Sequence, residues 1–300
     1  MTLARAPGKV VISGAYSVLY GAPALVSAVD RYVTADTARS PEFVTAEVRA
    51  ALGDEPAPWF DASALRQDNR KLGLGSSAAI LVASLAAREL AARGPLADDA
   101  LCQAVFARAL TAHRAAQRGG SGVDVAASAH GGMLAVRREN AQLGVEPVAL
   151  PPTLVTEVWW CQADASTTAF LGQISALAVR DPGEHRARIA AQSAASEAAL
   201  DACKRADALG LIDALRAQAR ALGELGLAAR IPIVTREVGE LAGRAESEGA
   251  AFLPAGAGGG DIACYVGVNP ASAEFGARAA ELGLVRLTLA LAARGVHAAS

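Results

Sequence analysis

Residues Lys71 to Ala79 read KLGLGSSAA, two glycines and two serines set directly before a long apolar helical run. Gly73 and Gly75 permit positive φ and a close backbone approach to an anion, while Ser76 and Ser77 bring hydroxyls and unpaired N–H groups to a helix start. The positive end of that helix favours a negative ligand. Gly73, Gly75 and Ala78 also meet the spacing G-x-G-x-x-G/A of a dinucleotide site. That site requires a buried strand immediately upstream and an acidic residue about 20 positions on. The upstream residues Arg66, Gln67, Asp68, Asn69, Arg70 and Lys71 do not make a buried strand, and Asp98 and Asp99 read as caps of the next helix. A Walker A loop fails because no Gly-Lys-Ser/Thr follows at the required spacing, and a protein-kinase loop lacks its companions. A plain glycine turn capped by serine remains open, so the rest of the chain must decide.

Composition narrows the classes. A chain of 300 residues, 52% of them hydrophobic, buries a substantial core and suits two moderate domains. A net charge of −2 gives no electrostatic reason to expect nucleic acid or an anionic membrane as partner. No run of about 20 apolar residues is free of charge and glycine, and Met1 to Lys9 lacks the apolar region of a signal peptide, so a cytoplasmic protein is expected. Cys102, Cys161, Cys203 and Cys264 form no C-x-x-C pair and read as buried thiols. His113, His130, His185 and His297 lack the spacing of a helical metal site. Lysine occurs only at Lys9, Lys71 and Lys204, arginine supplying the rest of the 28 basic residues. Two of those lysines fall in glycine-containing segments, where a compact point charge is not interchangeable with a planar guanidinium.

Along the chain, Ala4 to Val33 reads as strands and tight turns, with apolar runs at Val10–Ile12 and Ala24–Val29, and Val44–Val48 as another strand. Helices are expected from Ala78 to the Gly94-Pro95 stop and from Asp98 to Arg118, then a short segment from Asp124 and a strand Met133–Arg137. Pro147, Pro151 and Pro152 mark a boundary between domains 1–150 and 151–300. A strand Val155–Cys161 opens the second half. Helices at Glu184–Leu209, Leu211–Leu227 and Ile233–Glu248 follow, then a glycine cluster Ala255–Asp261, an apolar run Ile262–Val266, and a helix and a strand within Ala271–Arg294. Strands and helices alternate without strict β-α-β repetition, which favours the α+β class.

Three glycine-containing segments stand in order: APGKVVISGAYSVLYG from Ala6, KLGLGSSAA from Lys71 and LPAGAGGGDIA from Leu253. Together they resemble the three motifs of the GHMP kinases, the superfamily of galactokinase, homoserine kinase, mevalonate kinase and phosphomevalonate kinase. The resemblance spans nearly the whole chain. The segment AHRAAQRGGSGVDVAASAHGG, from Ala112 to Gly132, is similar to the phosphomevalonate kinase pattern, as is DASTTAF around Ser166 and Thr167. The aspartate of GAGGGD and the tyrosine of GAYSVLYG, where mevalonate kinases usually carry a glutamate-histidine pair, lean the same way. The chain departs from the pattern in its short interval before Lys71 and in lacking a proline before the serine loop, so the resemblance names no adenine-contacting residue.

The resemblance implies a two-domain α+β fold: an N-terminal ATP-binding domain like domain 2 of ribosomal protein S5, and a ferredoxin-like C-terminal domain. It implies ATP and Mg²⁺ as cofactors and a small acid such as phosphomevalonate as substrate, in a monomer or homodimer. Lys71, Gly73, Leu74, Gly75, Ser76, Ser77 and Ala78 would bind the nucleotide, with Ser77 a Mg²⁺ ligand. Lys9 would neutralise charge on the transferring group; the alternative is a surface lysine at a strand edge. Asp124 resembles the catalytic base of mevalonate kinases, and it also suits the N-cap of Val125–Ala129. A phosphate monoester, with a second pKa of about 6, is already largely dianionic at neutral pH, so for such an acceptor Asp124 is a positioning residue rather than an indispensable base. His113 stands where mevalonate kinases carry a metal-binding glutamate; imidazole suits an anionic substrate better than Mg²⁺. Arg114 and Arg118 either add charge there or are solvated helix-face residues. Tyr16, Ser121, Gly122, Ser166, Thr167, Gly258, Gly259 and Asp261 complete the expected substrate contacts, although the GAGGGD segment also reads as a tight turn. Mevalonate kinase, diphosphomevalonate decarboxylase and a non-catalytic nucleotide-binding regulator are the alternatives on this fold.

Overall fold

Twelve strands and nine helices follow one another in the computed structural model, which describes residues 3–68, 70–117, 120–139, 142–162 and 167–299. In chain order these are β1 (Leu3–Ser13), β2 (Pro23–Asp36), α1 (Ala46–Leu52), β3 (Trp59–Asp61), β4 (Arg66–Gln67), β5 (Arg70–Lys71), α2 (Ser76–Arg93), α3 (Asp98–Ala116) and α4 (Val123–His130). They continue with β6 (Met133–Glu139), β7 (Gln142–Pro147), β8 (Val155–Trp160), α5 (Thr167–Arg180), α6 (Pro182–Lys204), α7 (Ala208–Ala229) and α8 (Arg236–Ser247). Last come β9 (Ala251–Pro254), β10 (Ile262–Gly267), α9 (Ala273–Glu281), β11 (Val285–Leu287) and β12 (His297–Ala299). The chain forms two compact units that interleave in sequence: Met1–Val10 with Val26–Leu134 and Leu289–Ser300, and Val11–Leu25 with Ala135–Thr288.

In the first unit β12 pairs antiparallel with the start of β1, Leu3 opposite Ala299, and β3 pairs with the end of β2, Asp36 opposite Trp59. Helix α2 is sheathed almost completely, with Ala78, Ala79, Leu81, Val82, Ala83 and Ala86 at 0% exposure. Alanine at so many positions lets α1, α3 and α4 pack closely on it. A helix apolar all round is a core helix, and this one fixes its own N-terminus, the KLGLGSSAA segment, rigidly in the unit.

The second unit carries an antiparallel sheet of order β11-β8-β10-β9, with Ile262 opposite Trp160 and Cys264 opposite Leu253. Trp159, Phe252 and Tyr265 each meet the Phe275 ring edge-on, at centroid distances of 5.6, 5.3 and 5.2 Å. Beside it Ile174, Leu177, Leu222, Leu225 and Ile233 form a second cluster that includes Tyr16. Cys102, Cys203 and Cys264 are buried, Cys161 is half-buried, and none of the four is in a disulfide. Among the described residues no helix is long and apolar enough to cross a membrane.

Several local expectations are corrected. Val44–Val48 does not make a strand: Thr45 accepts from the Val48 N–H, Glu47 occupies the first turn, and Val48 and Leu52 bury one face of α1. Side-chain capping and i, i+4 burial outweigh the β-branched composition there. Asp98 and Asp99 lie inside the first turn of α3, whose N-cap is Ala97, and Asp98 instead pairs with Arg294 at 2.5 Å. The segment before the glycine loop is a small hairpin, Arg66 opposite Lys71, and its residues are exposed or half-buried, in keeping with the absence of a buried strand. Helix α5 and strands β3, β7, β9 and β12 were not anticipated.

Candidate active site

The serines of KLGLGSSAA do not cap α2. Gly75, at φ +76, is the N-cap with no side-chain hydrogen bond, so Ser76 and Ser77 are the first two helical residues and both stay half-exposed. Gly73 is also left-handed, at φ +75. Between these two turns the Leu74 side chain is buried and its carbonyl accepts from the Lys9 N–H at 2.9 Å. The loop is therefore stitched directly to β1, and the amides of Ser76, Ser77 and Ala78 are left at the helix start without an intrahelical acceptor.

Lys9 lies in the interior of β1, not at its start or on a strand edge. Its ammonium donates to the Gly73 carbonyl at 3.2 Å, and its side chain lies over Gly75, where a Cβ would come within 2.9 Å of Lys9 Cγ. Gly8 permits the same approach from the strand side, since a Cβ there would meet the Leu74 carbonyl at 2.8 Å. APGK and KLGLGSS, distant in sequence, are thus one structural device. Lys71 is exposed on β5.

Asp124 and His113 complete this part of the unit. Gly122, at φ +82, caps α4, which places Asp124 in the first helical turn instead of at the N-cap. His113 sits in the last turn of α3. A carboxylate at a helix start and an imidazole at a helix end are each favoured by the local backbone dipoles. His113 Nε2 stands 3.3 Å from Asp124 Oδ2, with the His113 side chain 2% exposed and that of Asp124 23% exposed. Burial disfavours imidazolium, but the charge of Asp124, 3.3 Å away, and that of Glu47 outweigh burial and the opposing Arg114, raising the His113 pKa. Burial likewise opposes the Asp124 carboxylate, yet His113, then Lys9, then its own backbone N–H hold its pKa down at about 2. Both shifts favour the ion pair over the neutral pair. Ser128 Oγ donates to the Pro7 carbonyl at 2.8 Å and ties α4 to β1 just before Lys9. Ser121 Oγ accepts from the Val123 N–H at 3.4 Å, and Gly122 is buried. Arg118 and Ser166 lie outside the described residues.

The remaining expected substrate contacts belong to the second unit. Tyr16, at φ +65 and 5% exposed, donates its phenolic O–H to the Ala257 carbonyl, and burial raises its pKa. Gly258 is closely packed: at φ +77, a Cβ there would stand 2.1 Å from the Ile233 carbonyl, which also accepts from the Gly259 N–H at 3.0 Å. The Asp261 carbonyl accepts from the Cys161 N–H at 2.9 Å, and Thr167 is exposed at the start of α5. Glu47, a buried carboxylate acting on His113, escaped sequence reasoning because its segment read as a strand.

Among the described residues no group of three or more His, Cys, Asp or Glu side chains gathers where it could hold a metal ion. A Mg²⁺ ion held chiefly by nucleotide phosphates and water would need few protein ligands, and the half-exposed Ser77 hydroxyl is an oxygen donor of the kind it takes.

No protein-family profile matches the chain. Phosphomevalonate kinase of Streptomyces sp. (strain CL190) is 26% identical to it, over 90% of each protein. A Lin0012 protein from Listeria innocua superposes at a TM-score of 0.86 with 23% identity, covering 100% of this chain and 99% of that one. Streptococcus pneumoniae phosphomevalonate kinase in complex with phosphomevalonate and AMPPNP superposes at 0.77 with 18% identity, covering 97% and 100%. The chain has the two-domain α+β fold of the GHMP kinases, and its sequence likeness to a phosphotransferase of that fold runs to phosphomevalonate kinase.

Proposed function

We propose that this protein is a cytoplasmic, ATP-dependent kinase that phosphorylates 5-phosphomevalonate to 5-diphosphomevalonate in isoprenoid biosynthesis. The observation that carries the reading is the direct contact of Lys9 with the Gly73–Gly75 loop, in the same unit as the buried His113–Asp124 pair. In this reading the unit built from Met1–Val10, Val26–Leu134 and Leu289–Ser300 supplies the ATP-binding domain, in place of an uninterrupted 1–150, and the other unit the second domain, in place of 151–300.

Phosphoryl transfer has a loose transition state and depends mainly on positioning and on cations around the migrating oxygens. The amides of Ser76, Ser77 and Ala78 and the glycine turns hold the nucleotide phosphates; Lys9 stabilises charge that develops on the transferring group. A bound Mg²⁺, with Ser77 among its ligands, supplies further charge neutralisation. Asp124, ionised and close to both His113 and Lys9, orients the Lys9 ammonium. A dianionic phosphate acceptor needs no proton removed, and His113, with both ring nitrogens buried, acts through Asp124. A substrate alcohol would instead require Asp124 as base, a role its strongly depressed pKa suits poorly.

Following ADP release with mevalonate, phosphomevalonate and diphosphomevalonate tests the assignment. Turnover is expected with phosphomevalonate. Turnover with mevalonate and none with phosphomevalonate would reject it.

A further inference from the structure

Glu47 lies in the first turn of α1 at 7% exposure, where few carboxylates are found without a partner. The helix start favours its charge. Its Oε1 also accepts from Gln117 Nε2 at 3.2 Å, and Gln117 is the C-cap of α3, its N–H bonded to the His113 carbonyl at 2.9 Å. The side chains of Gln117 and His113 border one small space. A Cβ placed on Gly120 would lie 3.5 Å from Gln117 Oε1 and 3.4 Å from His113 Nδ1. Both ring nitrogens are buried and neither makes a hydrogen bond; Nε2 faces Asp124 at 3.3 Å, while Nδ1 borders the space at Gly120 that it shares with the Gln117 amide held by Glu47.

We propose that Glu47 is a positioning residue for phosphoryl transfer: by its charge and its hold on Gln117 it keeps His113 oriented and protonated against Asp124. This inference rests on the assignment of His113 and Asp124 to the transfer site. The charges that bear on His113 are Asp124 from α4, Glu47 from α1 and Arg114 from its own helix, with Lys9 of β1 acting on Asp124. The other elements packed on α3 spend their charges elsewhere: on α2, Arg88 pairs with Glu55 and Arg93 with Glu89, while His297 of β12 lies against the Gly295 carbonyl. Arg108 on α3 itself is taken up by Glu55 and the Ala51 carbonyl.

Glu47→Gln keeps the size of the side chain and an acceptor for Gln117 but removes the charge; Glu47→Asp keeps the charge. The imidazole C–H resonances of His113, followed against pH in the full chain without substrate, read the coupling directly. In Glu47→Gln, His113 is expected to bind its proton about tenfold less tightly, and Glu47→Asp to restore most of that loss. With phosphomevalonate, the alkaline limb of kcat/KM in Glu47→Gln should move to lower pH by the same factor, with kcat on the acid side unchanged. An unmoved His113 titration, accompanied only by a lower Tm, would overturn the proposal and leave Glu47 a structural residue. A moved titration with an unmoved rate profile would uphold the coupling and remove His113 from transfer, a failure of the functional reading instead. Gln117→Met breaks the link from the other end without touching Glu47. It should weaken proton binding in the same direction but less, and no change there would overturn the relay through Gln117.

Discussion

Two glycine-rich loops in this protein look alike in sequence and are built for opposite ends. Gly73–Ser77 sends one carbonyl to the Lys9 amide and one to its ammonium, and the half-exposed Ser76 and Ser77 open the helix that follows. Ala255–Asp261 spends its backbone on the protein: Ala255 N–H on Ile262, Gly259 N–H on Ile233, the Ala257 carbonyl on Tyr16 and the Asp261 carbonyl on Cys161. Four of its glycines have positive φ, and at Gly258 that serves close packing against the Ile233 carbonyl. Glycine content alone does not mark an anion site; the destination of the N–H groups does.

That contrast breaks if the two loops respond alike to substitution. Lys9→Met should lower kcat by on the order of 10²-fold or more with little change in the unfolding midpoint, because Met keeps the packing over Gly75 and loses only the half-buried bond to the Gly73 carbonyl along with the charge. Unchanged turnover in steady-state assays would remove Lys9 from the mechanism. Gly258→Ala should act the other way, costing about 3 kcal/mol of stability in urea titrations, since its Cβ meets a backbone carbonyl at a left-handed φ. Full stability would show that this loop has room to move.

Asp124→Asn sharpens the same comparison within the first unit. With phosphomevalonate it should cost less than the roughly 10²-fold that loss of a general base costs. Complete inactivity at every pH would contradict a positioning role. The pH dependence has a defined sign. Because the folded pKa of His113 is raised, its pairing stabilises the protein fully below the unfolded value and is lost as pH rises through the folded one. The depressed pKa of Asp124 contributes above its unfolded value and is lost as pH falls towards about 2. Asn at 124 should remove both contributions, so the gap between the denaturation midpoints of wild type and variant should be widest between the two pKa values, narrow as pH rises through that of His113, and narrow again as pH falls towards about 2. The smallest effect is expected for Tyr16→Phe, which leaves the Ala257 carbonyl without its donor and should cost about 1 kcal/mol in thermal unfolding.

The sequence made some of this legible and hid the rest for physical reasons. The helix behind Ser76 was visible because alanine and leucine dominate an uninterrupted run that Gly94-Pro95 ends. The order of APGK and KLGLGSS was visible too, but not their contact, which depends on the missing Cβ atoms of Gly8 and Gly75. His113 and Asp124 are each singled out; their pairing depends on the end of α3 meeting the start of α4, which no local pattern shows. Val44–Val48 misled because β-branched residues suggested a strand where a threonine cap and buried Val48 and Leu52 make a helix. Glu47 was lost with it, since a carboxylate in an exposed-looking segment carries no sign of burial until α3 is packed over it. The fit of the GAGGGD loop against Ile233 was equally invisible, for that carbonyl belongs to a distant turn.

The central claim is that Lys9, the Gly73–Ser77 loop and the His113–Asp124 pair together move a phosphoryl group onto a phosphate acceptor. Phosphorus NMR of the full chain with ATP, Mg²⁺ and phosphomevalonate tests it most directly, in wild type and in Lys9→Met. The account predicts paired diphosphate-ester resonances that grow in step with ADP in the wild type and fail to grow in the variant. ADP accompanied only by inorganic phosphate, or equal transfer in both proteins, would contradict it.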